Sequence, residues 1–116
     1  MFDILKAIKE KRLNFDEYQK TSFDFALSSA KNSQYLFAGL AGEAGELCSL
    51  YAKSVRDGLS DTFTDNVKKE LGDVLWFVAV IAHYHGLSLQ DVAQANVDKL
   101  QSRKERNVIS GSGDNR

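Results

Sequence analysis

Proline is absent from all 116 residues of the chain. Because proline removes a backbone donor and clashes with the preceding turn of a helix, a chain without it is free to form long helices. Apolar side chains recur at the three- and four-residue spacing of amphipathic helices, which favours helices over strands. A short chain buries a smaller share of its surface than a large domain does. We therefore expect an all-α, four-helix-bundle-like fold that is completed by oligomerisation.

Capping residues divide the chain into four main helices, preceded by a short helix candidate at residues 2–11. The predicted helices run from Asn14 to about Ser29, from Asn32 or Ser33 to about Arg56, from Thr64 or Asp65 to Gly86, and from Ser88 to about Arg106. No linker separates them, so residues 1–106 are predicted to form a single domain. Residues 107–116 are small and polar and are predicted to be a disordered tail.

Charge and cysteine content exclude several classes of protein. The net charge of -1 gives no basic surface for a nucleic-acid binder. No apolar run is long enough to span a membrane, and the first residues do not resemble a signal peptide. The lone cysteine, Cys48, cannot form an internal disulfide, which is typical of an intracellular protein. We therefore expect a cytoplasmic protein with neither a nucleic-acid nor a membrane partner.

The acidic residues of the two central helices stand apart from other charges. Glu43 and Glu46 are the only formally charged side chains between residues 32 and 52, and Glu70 and Asp73 are the only ones between residues 70 and 90. Each pair is spaced i, i+3, so both carboxylates leave the same face of a helix. Such a pair is common on any exposed helix, but two pairs inside uncharged segments of adjacent helices favour a metal site.

A cation would offset the repulsion within this set of acids. Like charges without basic neighbours repel, and burial would add a desolvation cost. Mg²⁺ is the natural candidate because it takes oxygen ligands and keeps substrate phosphates in its coordination shell, and Mn²⁺ is an alternative ion. Gly39, Gly42 and Gly45 recur every three residues in the same helix, and Gly72 lies between the second pair of acids. Glycines inside helices destabilise them, which predicts close approach of another backbone or a ligand at these positions.

The two acidic motifs resemble those of the MazG-like all-α nucleoside triphosphate pyrophosphohydrolases. The similarity lies in the segments Gly39-Leu-Ala-Gly-Glu-Ala-Gly-Glu-Leu47 and Glu70-Leu-Gly-Asp-Val-Leu-Trp-Phe77, separated at their acids by 23 residues, and in the later Asn96-x-x-Lys99 with Arg103. It covers about residues 14–106. The resemblance implies an enzyme that hydrolyses an NTP or dNTP to the monophosphate and pyrophosphate. It also implies Mg²⁺ held by the four acids and a site completed in a homodimer or homotetramer.

The resemblance suggests roles for further residues. A carboxylate not fully occupied by metal can take a proton from the attacking water, and we assign that role to Glu46. The basic residues Lys53, Lys99 and Arg103 suit phosphate, and Asn96 suits the sugar or a phosphate oxygen. Each also has a simpler interpretation as a solvated side chain near a helix end. Trp76 is a candidate to stack on the base, although an aromatic in a small bundle is more often part of the core or an interface.

Two other functions remain open at this stage. The first is a phosphoribosyl-ATP pyrophosphohydrolase, an enzyme of the same helical superfamily, although the residues of both motifs favour the MazG-like branch. The second is a non-enzymatic helical dimerisation or regulatory module, which would not need four acids close together. The sequence indicates neither the base nor the sugar of the substrate.

Overall fold

A computed structural model describes residues 3–10 and 12–116 of the chain. All of the regular secondary structure in these residues is helical, which confirms the all-α class. The elements are α1 (Ile4–Lys9), α2 (Phe15–Asp24), a short 3-10 turn (Ser28–Ala30), α3 (Ser33–Asp57), α4 (Phe63–Tyr84) and α5 (Leu89–Glu105). None of the helices in the described ranges is both long and apolar enough to cross a membrane.

Three helices begin at the capping residues that the sequence predicts. Asn14 and Glu17 form a reciprocal capping box at the start of α2, with both backbone-to-side-chain bonds at 2.9 Å. Asn32 caps α3 by accepting a hydrogen bond from the backbone N–H of Tyr35 at 3.1 Å. Ser88 likewise accepts from the backbone of Asp91 at the start of α5. Each cap pairs a donor that would otherwise lack a partner within the helix.

The predicted end of α2 and start of α4 are wrong. α2 ends at Asp24, because the backbone N–H groups of Phe25 and Ala26 turn back to carbonyls three residues earlier. The chain then bends so that Ala26 and Ala30 reach the core. α4 begins at Phe63, before the predicted cap at Thr64 or Asp65.

The earlier start of α4 has a local cause in the loop before it. The backbone N–H of Phe63 donates to the carbonyl of Ser60, which closes a tight turn directly ahead of the helix. Thr62 occupies the N-cap position without capping the helix through its side chain. Its hydroxyl instead contacts Ser60 and accepts from the Asn66 amide.

The helices pack around a small core at one end of the molecule. α3 and α4 form an antiparallel hairpin joined by a short loop, α2 packs on α4, and α5 packs against α2 and α4. The buried core residues are Ala26, Ala30, Leu36 and Val80, with Phe23, Trp76, Phe77 and Ile81 packed against them. From this core, α3 and α4 continue side by side to their connecting loop, and the acids lie in this part of the hairpin.

One buried polar side chain fixes the position of α5. The amide of Gln19 donates to the carbonyl oxygens of Ala79 and Leu87, at 3.2 and 2.8 Å, and accepts from the backbone N–H of Leu89 at 3.0 Å. Gln19 therefore links the interior of α4 to the loop and to the start of α5, and it pairs the N–H of Leu89, which has no partner within its own helix.

The protomer is more open than a compact domain of its length. Its radius of gyration is 17.0 Å, whereas about 13 Å is expected for a compact chain of this size. Large apolar side chains remain exposed on both helices of the hairpin: Phe37, Tyr51 and Val55 on α3, and Leu71 and Leu75 on α4. Completion of the bundle by a second copy stays a prediction.

Candidate metal centre

Three of the four predicted acids meet where α3 crosses the first half of α4. Glu43, Glu70 and Asp73 each offer one carboxylate oxygen, and these oxygens all lie within 4.8 Å of one another. Glu43 and Glu70 are half-buried and Asp73 is exposed. The i, i+3 spacing places Glu70 and Asp73 on the side of α4 that faces α3, and the antiparallel hairpin brings Glu43 opposite them.

The charges around Glu43 are all of one sign. Partial burial raises the pKa of Glu43, and the carboxylates of Asp73, Glu70 and Glu46 raise it further, as does a hydrogen bond with Glu70. No basic side chain contributes to this shift. The cluster therefore lacks the internal positive charge that would favour its ionised form.

Glu46 lies at the edge of this cluster and is not part of it. It is exposed, one turn beyond Glu43 on α3, and its oxygens are outside the group that converges. Its charge still acts on Glu43. The structure thus separates three potential ligands from one neighbouring free carboxylate, and the roles of metal ligand and catalytic base for Glu46 stay predictions.

The three converging acids fit a small hard cation. Mg²⁺ binds oxygens at about 2.0–2.1 Å, so two ligands on opposite sides of one ion lie about 4.2 Å apart. The observed limit of 4.8 Å exceeds this only slightly, and the exposed Asp73 is free to adjust. Mg²⁺ usually takes a few carboxylates and completes its shell with water and phosphate, which an open site permits.

A close contact between α3 and α4 adjoins the acids. Gly39, four residues before Glu43, lies against the ring of Phe77, four residues after Asp73. A Cβ atom on Gly39 would overlap Cε1 and Cζ of Phe77 and lie 3.1 Å from Cδ1. By contrast, a Cβ on Gly42, Gly45 or Gly72 would meet nothing within 4 Å in this chain. Among these four glycines, the predicted close approach occurs within the protomer at Gly39 alone. The group that approaches Gly39 is an aromatic ring.

Lys53 and Trp76 lie outside the acid cluster. Lys53 is exposed further along α3, where it lines a cavity of about 240 Å³ beside the loop to α4. Trp76 is half-buried, donates its indole N–H to the carbonyl of Ser22 at 3.1 Å, and meets Phe77 edge to face. Phosphate binding by Lys53 and base stacking by Trp76 stay predictions, while the observed contacts of Trp76 are those of a packing residue.

The predicted phosphate-binding residues of α5 contact the segment that follows the helix. Arg103 is only 5% exposed, and its Nη2 donates to the carbonyl oxygens of Gly113 and Asp114. The Asp114 carboxylate lies 3.2 Å from Nζ of Lys99 and 3.4 Å from Nη2 of Arg103. The pKa of Asp114 is lowered by Lys99 and then by Arg103. Asn96 is exposed on the same helix.

The segment after α5 reverses direction to make these contacts. Asn107, Gly111 and Gly113 all have positive φ angles, which glycine adopts readily and asparagine more readily than most residues. The asparagine and the two glycines are the sequence signal for the reversal. Disorder of residues 107–116 stays a prediction, but Asp114 is a partner of Lys99 and Arg103 that the sequence analysis missed.

The larger of the described cavities lies away from the acids. It encloses about 350 Å³ between α2, α4 and the start of α5, and its lining includes Phe15, Tyr18 and Leu75. Leu75 follows Asp73 by two residues and so points to a different side of α4. Within one protomer, this apolar cavity and the acid cluster are separate features.

The described residues define an all-α protein with converging carboxylates on a helical hairpin. Comparison with known proteins identifies the family. Residues 31–108, which contain both acid pairs, match the MazG nucleotide pyrophosphohydrolase domain. The chain belongs to this family. The resemblance inferred from the acidic motifs is thereby confirmed.

A phage protein is similar to this chain over most of its length. The "Gene 37 protein" of Mycobacterium phage L5 is 40% identical over 114 residues, covering 90% of this chain and 100% of that protein. No solved structure matches the chain significantly.

Proposed function

We propose that this protein hydrolyses nucleoside or deoxynucleoside triphosphates to the monophosphate and pyrophosphate in a reaction that requires Mg²⁺. The observation that carries the proposal is the convergence of Glu43, Glu70 and Asp73 in a member of the MazG nucleotide pyrophosphohydrolase family. Converging carboxylates without a basic partner repel one another, and a bound cation would offset that repulsion.

The acids divide into two proposed roles. Glu43, Glu70 and Asp73 would hold Mg²⁺, which on binding offsets the negative charge of the phosphates and acidifies water. Glu46, one turn away on α3, accepts the proton of the water that attacks the α-phosphorus. The bond from that phosphorus to the bridging oxygen breaks, and pyrophosphate leaves with the electron pair. The position of Glu46 outside the converging group supports its role as the base.

The basic residues are proposed to bind the triphosphate. Lys53 lies seven residues beyond Glu46 on α3, about 10 Å along the helix axis. Lys99 and Arg103, with Asn96 one turn before them, offer cationic donors on α5, provided that Asp114 gives way to a phosphate.

We propose that two or four copies assemble to form the working enzyme. The support is the radius of gyration of 17.0 Å, together with the exposed apolar side chains of α3 and α4. Burial of these side chains against a second copy would remove apolar surface that is unfavourable in a monomer. A mass of one protomer in light scattering at micromolar concentration would contradict this proposal.

The activity can be tested with the purified 116-residue chain and a panel of NTPs, dNTPs and phosphoribosyl-ATP. Release of pyrophosphate together with the monophosphate is expected with Mg²⁺ and not with EDTA. Glu70→Gln should abolish it, whereas Asp65→Asn, an exposed acid on the same helix, should not. Preference for phosphoribosyl-ATP would indicate the related pyrophosphohydrolase, and absence of hydrolysis with every substrate would favour a non-enzymatic module.

A further inference from the structure

The contact between Gly39 and Phe77 lies next to the acid cluster, about one helical turn away from it on each helix. Gly39 precedes Glu43 by about one turn in α3, and Phe77 follows Asp73 by about one turn in α4. Because the helices are antiparallel, these positions face each other directly beside the carboxylates. The separation of the helices at this contact therefore sets the distance that Glu43 must bridge to reach Glu70 and Asp73.

The contact leaves no room for a larger residue at position 39. A Cβ there would overlap two carbons of the Phe77 ring, whereas carbon atoms normally pack at about 3.5–4.0 Å. To restore ordinary contact, the ring or the helix would have to move by about 1 Å or more. Mg²⁺ and Mn²⁺ sites tolerate little displacement, because their oxygen ligands must stay near one short distance.

Two other aromatic rings lie beside the Phe77 ring. Trp76 meets it edge to face, with ring centroids 5.0 Å apart at 89°, and Tyr35 lies 6.4 Å away. Trp76 is itself fixed by its hydrogen bond to the carbonyl of Ser22 in α2. A new methyl group at position 39 would therefore push against a supported ring, and the strain would pass to the spacing of α3 and α4.

We propose that Gly39 and Phe77 are positioning residues for the metal centre: the ring fills the space above the glycine and holds the two helices at the spacing at which Glu43, Glu70 and Asp73 share one cation. This inference rests on the proposed metal centre. It gives Trp76 a supporting role through Phe77, distinct from stacking on a base.

The test measures Mn²⁺ binding to the metal-free 116-residue chain. Binding is measured by titration calorimetry and by the electron paramagnetic resonance signal of free Mn²⁺. Gly39→Ala should weaken Mn²⁺ binding about 10–100-fold, the range seen when groups that orient metal ligands are altered. Gly42→Ala, Gly45→Ala and Gly72→Ala are matched controls, because their new methyl groups meet nothing within 4 Å in the protomer. They should bind Mn²⁺ like the wild type and melt at the same or a higher temperature.

A second variant separates positioning from loss of stability. In Gly39→Ala/Phe77→Leu the smaller side chain makes room for the methyl group, so Mn²⁺ affinity should recover relative to Gly39→Ala. Leu89→Ala removes a buried side chain at the start of α5, outside the α3–α4 hairpin, and should lower the melting temperature without changing Mn²⁺ affinity in the folded range. If Gly39→Ala does not fold, Phe77→Leu alone should still weaken Mn²⁺ binding.

The outcomes distinguish this inference from the proposed function. Wild-type Mn²⁺ affinity in Gly39→Ala, or in Phe77→Leu if Gly39→Ala does not fold, overturns the positioning role and leaves the enzyme proposal standing. An equal loss of affinity in Leu89→Ala or in the three control glycine variants overturns it as well. If the wild type binds Mn²⁺ but hydrolyses no triphosphate, the enzyme proposal fails and the positioning role is still decided by the variants. No Mn²⁺ binding by the wild type overturns both.

Discussion

The acid cluster of the α3–α4 hairpin and the basic residues of α5 differ in how their charges are satisfied. Around Glu43 every interacting charge is another carboxylate, and its pKa is raised. On α5, Lys99 and Arg103 already share the carboxylate of Asp114, whose pKa is lowered. No basic side chain contributes to the pKa shift of Glu43, whereas Lys99 and Arg103 have an anion from within the chain. Charges left unbalanced by the fold are therefore the stronger indication of a ligand.

The largest expected effect is the loss of catalysis when an acid of the α3–α4 hairpin is replaced. Glu43→Gln, Glu70→Gln and Asp73→Asn should each reduce turnover by about a hundredfold or more, the scale of losing one preorganised electrostatic group. Glu46→Gln should do the same if it is the base. Steady-state pyrophosphate release gives the measurement, with Asp65→Asn as the control. Near-normal turnover in any two of the four acid variants would rule out a shared site.

On α5 the expected effect of a single substitution is on stability. Arg103 is buried and bonded to the segment after the helix, so Arg103→Ala should lower the free energy of unfolding by about 1–3 kcal/mol, as for the loss of hydrogen bonds from a charged group. Lys104→Ala, its exposed neighbour, should leave the free energy almost unchanged. Urea unfolding followed by circular dichroism distinguishes them, and equal stability of the two variants would mean that the observed contacts of Arg103 are not formed in solution.

The repulsion at the acid cluster predicts a pH dependence of the apo protein. Because the pKa of Glu43 is raised above its usual value of 4.5, the folded state binds more protons than the unfolded state. The contribution of Glu43 to stability is therefore present below that value and is lost as pH rises through the folded pKa. In EDTA, Glu43→Gln should melt higher than the wild type at neutral pH, and this advantage should disappear in acid.

Added Mg²⁺ should reverse this order of melting temperatures. The ion stabilises the folded wild type by mass action, and the Gln variant loses a ligand. A variant that melts below the wild type in EDTA at neutral pH would indicate a protein partner for Glu43 and would contradict an unbalanced cluster.

The smallest effect is expected at Asp114. Its carboxylate is 83% exposed, so its pairing with Lys99 and Arg103 is weakened by solvent and salt. Since its pKa is lowered, its contribution is present above the usual value of 3.8 and is lost as pH falls through the folded pKa. Asp114→Asn should thus be slightly less stable than the wild type at neutral pH and low salt. A difference that persists at pH 2 or in molar salt would contradict the ion pairs.

Features set by near neighbours in the sequence were predictable. The caps at Asn14, Asn32 and Ser88 depend on side chains three residues from the groups they bind, and the two acid pairs are visible because each lies in an uncharged segment. The start of α4 was missed because the hydroxyl of Thr62 is engaged within the loop and does not cap the helix.

Contacts between distant parts of the chain were not predictable in the same way. The match of Gly39 with Phe77 depends on how two helices meet, and periodicity identifies the helices without identifying that pair. The pairing of Arg103 with Asp114 depends on a chain reversal in a segment whose composition indicated disorder. Glycines alone do not reveal which of them is packed, and only the structure distinguishes Gly39 from Gly42, Gly45 and Gly72.

The side chain of Gln19 ties the part of the chain before the acid-bearing hairpin to the part after it. Its bond from the N–H of Leu89 joins residues 70 positions apart, with α3 and α4 both lying between them. α2 and the start of α5 are thereby joined at the end of the hairpin opposite the α3–α4 loop. None of the acids takes part in this connection. The amide proton of Leu89 should therefore exchange with solvent as slowly as the core it joins, whether or not a metal is bound at the acids.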